Sequence, residues 1–291
     1  MRAYHSGSVA VQERVGVRQL ADHVGRSVTD GIRPVAAAFL EAQPMLVLGA
    51  PDRHGRIWAH LLTGRPGFAR AAGPHTLSVA AALPDGTADD APVGTIVLDP
   101  RTRRRMRLNG TARRSARGFT VEADQVFSNC PKYLQQRELY GFAGTPAPEA
   151  GAARHGTVLS PGQQRLVRTA DTFFVASVAP DGVDASHRGG NPGFVTLVSP
   201  TELSWPDYPG NAMFLTLGNL EADGRAGLLF LDWTTGTTLQ LTGLAHTEYG
   251  PEGRVVRFRL DHAVETPAAS PLRWSPPAYS PANPPVPEDR P

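Results

Sequence analysis

Two stretches of this chain are versions of one another, and that duplication limits its fold more than any other feature. Gly94, Asp99, Thr102, Leu108, Gly110 and Ala112 recur as Gly227, Asp232, Thr235, Leu241, Gly243 and Ala245. Each pair lies 133 residues apart (227 − 94 = 133), so the match runs without a gap. Upstream, Pro66-Gly67-Phe68 recurs as Pro192-Gly193-Phe194, and Leu77-Ser78 as Leu203-Ser204, at an interval of 126 (192 − 66 = 126). The second copy therefore holds seven more residues between the two blocks (133 − 126 = 7), and they fall where it reads WPDYPGN, 205–211. Such a chain folds as two copies of one unit, and the copies are not equivalent.

Short apolar runs bounded by turn residues predict strands at Met45–Leu48, Ile57–Leu62, Thr76–Ala82, Gly94–Leu98, Arg103–Ala112 and Phe119–Phe127. A turn is expected at Pro51–Gly55 and a helix from Arg33-Pro34 to Gln43. Pro131–Leu139 is predicted as a helix closing the first half, and Ala143–Gly156 as a linker. The pattern then restarts with Ser160-Pro161 capping a helix to about Ala170, a strand at Phe173–Val178 and a turn at Ala179–Gly182. With 30 glycines and 27 prolines, short strands and turns are favoured over long helices. Past Glu265 the proline-dense tail is expected to be largely unstructured.

A ligand site is expected in the second copy, between Asp184 and Asn219. Arg188 beside Gly189 and Gly190 suits a phosphate: a guanidinium pairs with it in bidentate fashion, and glycine lets backbone approach closely. Trp205-Pro206-Asp207 offers a wall for a flat ring, and Asn211 reads as a helix N-cap or a ligand contact. Opposite Arg188 the first copy has only Leu61 or Leu62, and opposite WPDYPGN it has alanines and a leucine, so the first copy reads as degenerate.

The segments Ser186–Phe194 (SHRGGNPGF), Trp205–Asn211 (WPDYPGN), Gly218-Asn219, Gly227–Asp232 (GLLFLD) and Leu239–Ala245 (LQLTGLA) resemble the flavin-nucleotide-binding split-barrel family, the pyridoxamine 5′-phosphate oxidase-like proteins. The resemblance implies a mostly β fold: two tandem six-stranded antiparallel split β-barrels with short flanking helices, packed as an internal pseudo-dimer. It divides the chain into a lead-in (1–30), a degenerate barrel (31–142), a linker (143–159), an FMN-binding barrel (160–265) and the tail (266–291). It also implies an FMN-dependent oxidoreductase passing electrons between an external donor and oxygen or a small organic substrate. Arg188, Gly189, Gly190, Trp205, Pro206, Asp207, Asn211, Leu217, Gly218, Asn219 and Gln240 would hold the flavin, with Gln240 reaching across the barrel interface. Three alternatives stay open: a non-catalytic flavin-binding or sensing module, the same scaffold using deazaflavin or haem, and a ligand-free interaction protein. The lead-in resembles that of members fused to a flavin reductase, so a separate reductase is an expected partner. A homodimer beyond the internal pairing is left open, and no catalytic residue is named.

Other features are read more plainly. His187 is taken as solvent-facing. The run Arg101–Arg107 aligns with Thr234–Gln240, which makes it a barrel strand with Arg103, Arg105 and Arg107 on one face; some of these arginines could add charge near a cofactor phosphate. Lysine occurs once, at Lys132, among 29 basic residues, so arginine here reflects a compositional bias and not a nucleic-acid partner. The formal charge of +2 calls for no polyanion. Cys130 is the single cysteine, which excludes an internal disulfide and leaves it structural first and redox-sensitive second. Histidines do not fall at zinc spacings, and no apolar run spans a bilayer, so a cytoplasmic protein without metal is expected.

Overall fold

Three short helices lead into the first sheet in the computed structural model, which describes residues 3–142 and 151–286. They are α1 (Ser6–Arg14), α2 (Arg18–Gly25) and α3 (Pro34–Glu41), the last opened by proline at its first turn, where a missing N–H costs nothing. The first sheet follows as β1 (Met45–Pro51), β2 (Ile57–Thr63), β3 (Ala69–Ala71), β4 (Thr76–Val79), β5 (Ala91–Asp99), β6 (Arg104–Ser115) and β7 (Gly118–Ser128). Then come β8 (Leu139–Phe142), β9 (Arg154–Gly156) and α4 (Pro161–Thr169), whose Ser160 and Gln163 form a reciprocal capping box. The second sheet comprises β10 (Thr172–Ala179), β11 (Gly182–Gly189), β12 (Thr196–Ser199), β13 (Glu202–Pro206), β14 (Arg225–Leu231), β15 (Thr238–Gly250) and β16 (Gly253–Thr266). Helix α5 (Leu215–Ala222) lies between β13 and β14, and β17 (Leu272–Trp274) follows β16.

The first sheet runs in the order β2-β1-β5-β6-β7-β4-β3 and the second in the order β11-β10-β14-β15-β16-β13-β12, with β9 added beside β16. Strand for strand the two orders are the same. The registers match too: Ile96 pairs with Arg107 as Leu229 pairs with Gln240. A bulge interrupts the ladder between Asn109 and Gly110 in one copy, and between Thr242 and Gly243 in the other. The repeat in the sequence is thus a repeat in three dimensions. Each path holds seven strands where six were expected, because β3 and β12 add a short edge.

The barrels pack through β1, β2 and β5 of one copy against β10, β11 and β14 of the other. Val47, Ile96, Phe174, Ala176, Ala185 and Leu229 form the buried seam. Glycine is needed where backbones cross it. A Cβ on Gly94 would lie 2.6 Å from Asp184 Cα, and one on Gly227 would lie 2.7 Å from Trp58 Cα. These two glycines are matched members of the repeat, so the pseudo-twofold contact is written into it. Each barrel also has its own apolar core.

Two expectations are corrected here. Pro131–Leu139 is not a helix: it is an irregular segment laid across the second barrel. Its side chains find better partners there than a helix offers. Gln135 Nε2 donates to Asp171 O and Gly190 O, and Arg137 pairs with buried Asp171 at 2.7 Å while stacking over Trp233. The tail is not unstructured through 286 either. β17 pairs with β8, and Trp274 is buried edge-on against Trp233. An apolar anchor of this size outweighs the disordering effect of the surrounding prolines. Residues 143–150 of the expected linker and 287–291 of the tail lie outside the described residues. Among the described residues no helix is long and apolar enough to cross a membrane.

Candidate anion-binding site

Alternation along β6 places Arg105 and Arg107 on one face, and the docking of the barrels brings that face to β11 of the second copy. Arg105 Nη1 donates to His187 Nδ1 at 2.6 Å, and its Nη2 donates to Cys130 O at 2.7 Å. Arg107 Nη1 donates to Asp184 Oδ2 at 2.8 Å, while Asn109 Nδ2 donates to Asp184 Oδ1. Arg188 lies 3.4 Å from Asp207, which also accepts from Arg254 Nε at 2.9 Å. Four guanidiniums therefore meet two carboxylates in a largely buried seam.

The cluster lacks negative charge. Burial, then repulsion from Arg107 and Arg188, pushes the Arg105 guanidinium down to about 9. Arg188 is lowered mainly by burial, against the pull of Asp207. His187 is held well below its usual value by burial, then by Arg105, Arg188 and Arg107, so it is neutral. Its Nδ1 accepts from Arg105, which puts the remaining proton on Nε2. His187 Nε2 and the Nε atoms of Arg105, Arg107 and Arg188 are all buried without a partner among the described residues. All four are donors. Leaving a buried donor unpaired costs about 1–3 kcal/mol each, and an anion placed among them would remove that cost.

A cavity of about 70 Å³ opens onto Arg105, Cys130, Lys132, His187 and Arg188. A second of about 60 Å³ adjoins it, lined by Arg107, Arg188, Asp207 and Leu215. Tyr133 of the first barrel and Tyr208 of the second line the larger one with ring centroids 5.1 Å apart, and Tyr133 Oη donates to Pro209 O. The segment that borders both cavities, Asp207–Phe214, carries left-handed Ala212 (φ 61°) and Phe214 (φ 53°).

The expected site residues divide. Arg188, Pro206, Asp207 and Asn211 line these cavities. Asp207 acts as the counter-ion of Arg188 and Arg254, and Asn211 Oδ1 accepts from Met213 N in a local turn, since α5 starts only at Leu215. Gly189 also lines the larger cavity, whereas Gly190 has no free amide, since its N donates to Asp171 O. Glycine at 189 admits the backbone of Tyr133.

Trp205 is no ring wall. Its side chain is 2% exposed and packs edge-on against Phe173 inside the second barrel, because β13 alternation turns it with Leu203 into the core. Leu217, mid-helix in α5, borders the smaller cavity but is itself buried in that same core. Gly218 is where α1 crosses α5, at Ser8, and Asn219 bonds to Ser177 and His5. Gln240 does reach the interface, donating to Ala59 O and His60 Nδ1, but on the opposite side of the pseudo-twofold from Arg188. His187 is buried, not solvent-facing. Arg105 and Arg107, which the sequence placed on one strand face with charge near a phosphate but outside the expected site set, join this cluster.

No family model matches the chain, and no curated protein does. Among solved structures, HupZ of Group A Streptococcus is 13% identical with a TM-score of 0.30, covering 35% of this chain and 90% of its own. A candidate pyridoxamine 5′-phosphate oxidase from Lactobacillus delbrueckii is 17% identical with a TM-score of 0.31, covering 37% and 94%. The FAD binding protein from Mycobacterium smegmatis is 9% identical with a TM-score of 0.28, covering 40% and 98%. Likenesses this weak carry no functional argument.

Tested against these residues, FMN fits at one end only. The donor set matches a phosphate, whereas cavities of about 70 and 60 Å³ do not hold three fused rings while Asp207–Phe214 lies as it does.

Proposed function

We propose that this chain binds a phosphorylated small molecule at the barrel interface, with the phosphoryl group among Arg105, Arg107, His187 and Arg188. The observation that carries this reading is that Arg105, Arg107, His187 and Arg188 line one cavity, each with a buried, unpartnered N–H, in a cluster short of negative charge. FMN is the ligand to test first, since its phosphate matches that donor set and the resemblance of the sequence names it. Bound flavin would supply electron transfer between an external donor and oxygen or a small organic acceptor, and the protein's part would be position and electrostatics. Entry of the ring requires Asp207–Phe214 to move, so phosphate is expected to bind to the closed form and FMN only to an opened one.

Calorimetric titration separates these steps. Inorganic phosphate is expected to bind, FMN is expected to bind more tightly, and each should displace the other. Arg188→Ala should weaken both by about 1.5–3 kcal/mol, roughly ten- to a hundredfold, as for a lost charged hydrogen bond. An unchanged phosphate affinity in that variant, or FMN that phosphate cannot displace, would overturn the assignment.

A further inference from the structure

The pseudo-twofold creates a second interface site, and its chemistry differs from the first. Ladder register makes Thr238 the counterpart of Arg105, Gln240 of Arg107, Leu61 of His187 and Leu62 of Arg188. Every anion-binding position is neutral on this side. The volume differs as well. Asp207–Phe214 fills the arginine side, but the first copy lacks the seven additional residues of the second (133 − 126 = 7), and Ala82-Leu83-Pro84 stand in that place. The result is an open groove of about 590 Å³, well within the range that holds small molecules.

The lining selects a class of ligand. Trp58, Leu61, Leu62, Leu83 and Val264 give apolar surface. Asp52 is matched by Arg56 at 2.8 Å and also accepts from Trp58 Nε1, while Asp85 at the rim is exposed, so no unpaired cation awaits an anion. His155, Thr238 and Thr266 add polar groups to the wall, and two further polar atoms are held in a fixed orientation. Gln240 Nε2 donates to Ala59 O and His60 Nδ1, which fixes the amide orientation and leaves Gln240 Oε1 without a partner among the described residues. The same bond fixes the His60 tautomer with its proton on Nε2, likewise unpartnered. Burial keeps this imidazole neutral by pushing it down to about 4, against the nearby Asp52 charge.

We infer that this groove is a second, separate binding site for an uncharged planar heterocycle, which accepts a hydrogen bond from His60 Nε2 and donates one to Gln240 Oε1. It does not depend on the phosphate reading, since it shares no lining residue with the arginine cavities.

Lumichrome, a neutral tricycle with adjacent N–H and C=O groups, is the probe. Calorimetry on the full chain should show saturable binding of one equivalent, unchanged by saturating inorganic phosphate. Ala82→Trp, at an exposed position on the groove, should abolish it without touching either core. Gln240→Met should weaken it about tenfold, the size of one hydrogen bond. The inference is overturned by absence of saturable binding, by binding that Ala82→Trp leaves intact, or by displacement with phosphate. Should Gln240→Met fail to fold, the Ala82→Trp and phosphate results still decide the matter.

Discussion

Asp184→Asn removes one of the two carboxylates in the arginine cluster while keeping its shape. In the folded protein Asp184 accepts from Arg107 at 2.8 Å, with side chains 4% and 10% exposed, and joins β11 of one barrel to β6 of the other. Removing one partner of a buried ion pair costs about 3–5 kcal/mol, because the remaining charge stays buried without compensation. Asparagine still offers an oxygen to Arg107, so the low end, about 3 kcal/mol, is expected. The substitution also leaves four guanidiniums facing one carboxylate, which should tighten anion binding. A ligand specific to the folded state returns about 2.7 kcal/mol at a hundred times its dissociation constant. Saturating phosphate should therefore restore most of the loss, beyond what it gives the unaltered protein. Urea unfolding of both proteins, with phosphate or with chloride at matched ionic strength, measures the two effects together. A variant as stable as the parent, or one that binds phosphate more weakly, would refute this account of the cluster.

Other expectations follow from the interface. Gly94→Ala and Gly227→Ala each drive a methyl into the opposing backbone, and denaturant titration should show losses of about 1–3 kcal/mol or more, alike for the two because the positions are equivalent. His60 and His187 resist protonation when folded, whereas the unfolded chain takes up protons near 6.5. Stability should then be intact above pH 6.5 and fall as pH drops below it, with the His60 share complete near pH 4. That share is on the order of 3 kcal/mol, and His60→Asn should flatten the pH–stability slope in this window.

Much of the architecture was legible in one dimension, for a physical reason. An ungapped repeat preserves ladder register, so Gly94 with Gly227 and Arg107 with Gln240 had to occupy matching places in matching sheets. The seven-residue surplus likewise announced that the two sites differ. Local chemistry reported faithfully as well: Ser160 with Gln163 capped α4, and Pro34 opened α3.

What the sequence could not decide was which partner each face meets. Trp205 was as compatible with a cavity wall as with a core until β13 packed, and Pro131–Leu139 lost its helix to partners such as Asp171, remote in sequence. Gln240 reaches across the interface as its strand position suggested, but the docking decided which side of the pseudo-twofold it meets. Around a pseudo-twofold each site takes one strand from either copy, so Arg105 and Arg107 serve Arg188 while Gln240 serves the groove beside Leu62. Composition and periodicity act along the chain and set the elements; the docking of two barrels acts between distant segments, and it alone determined which side chains became neighbours.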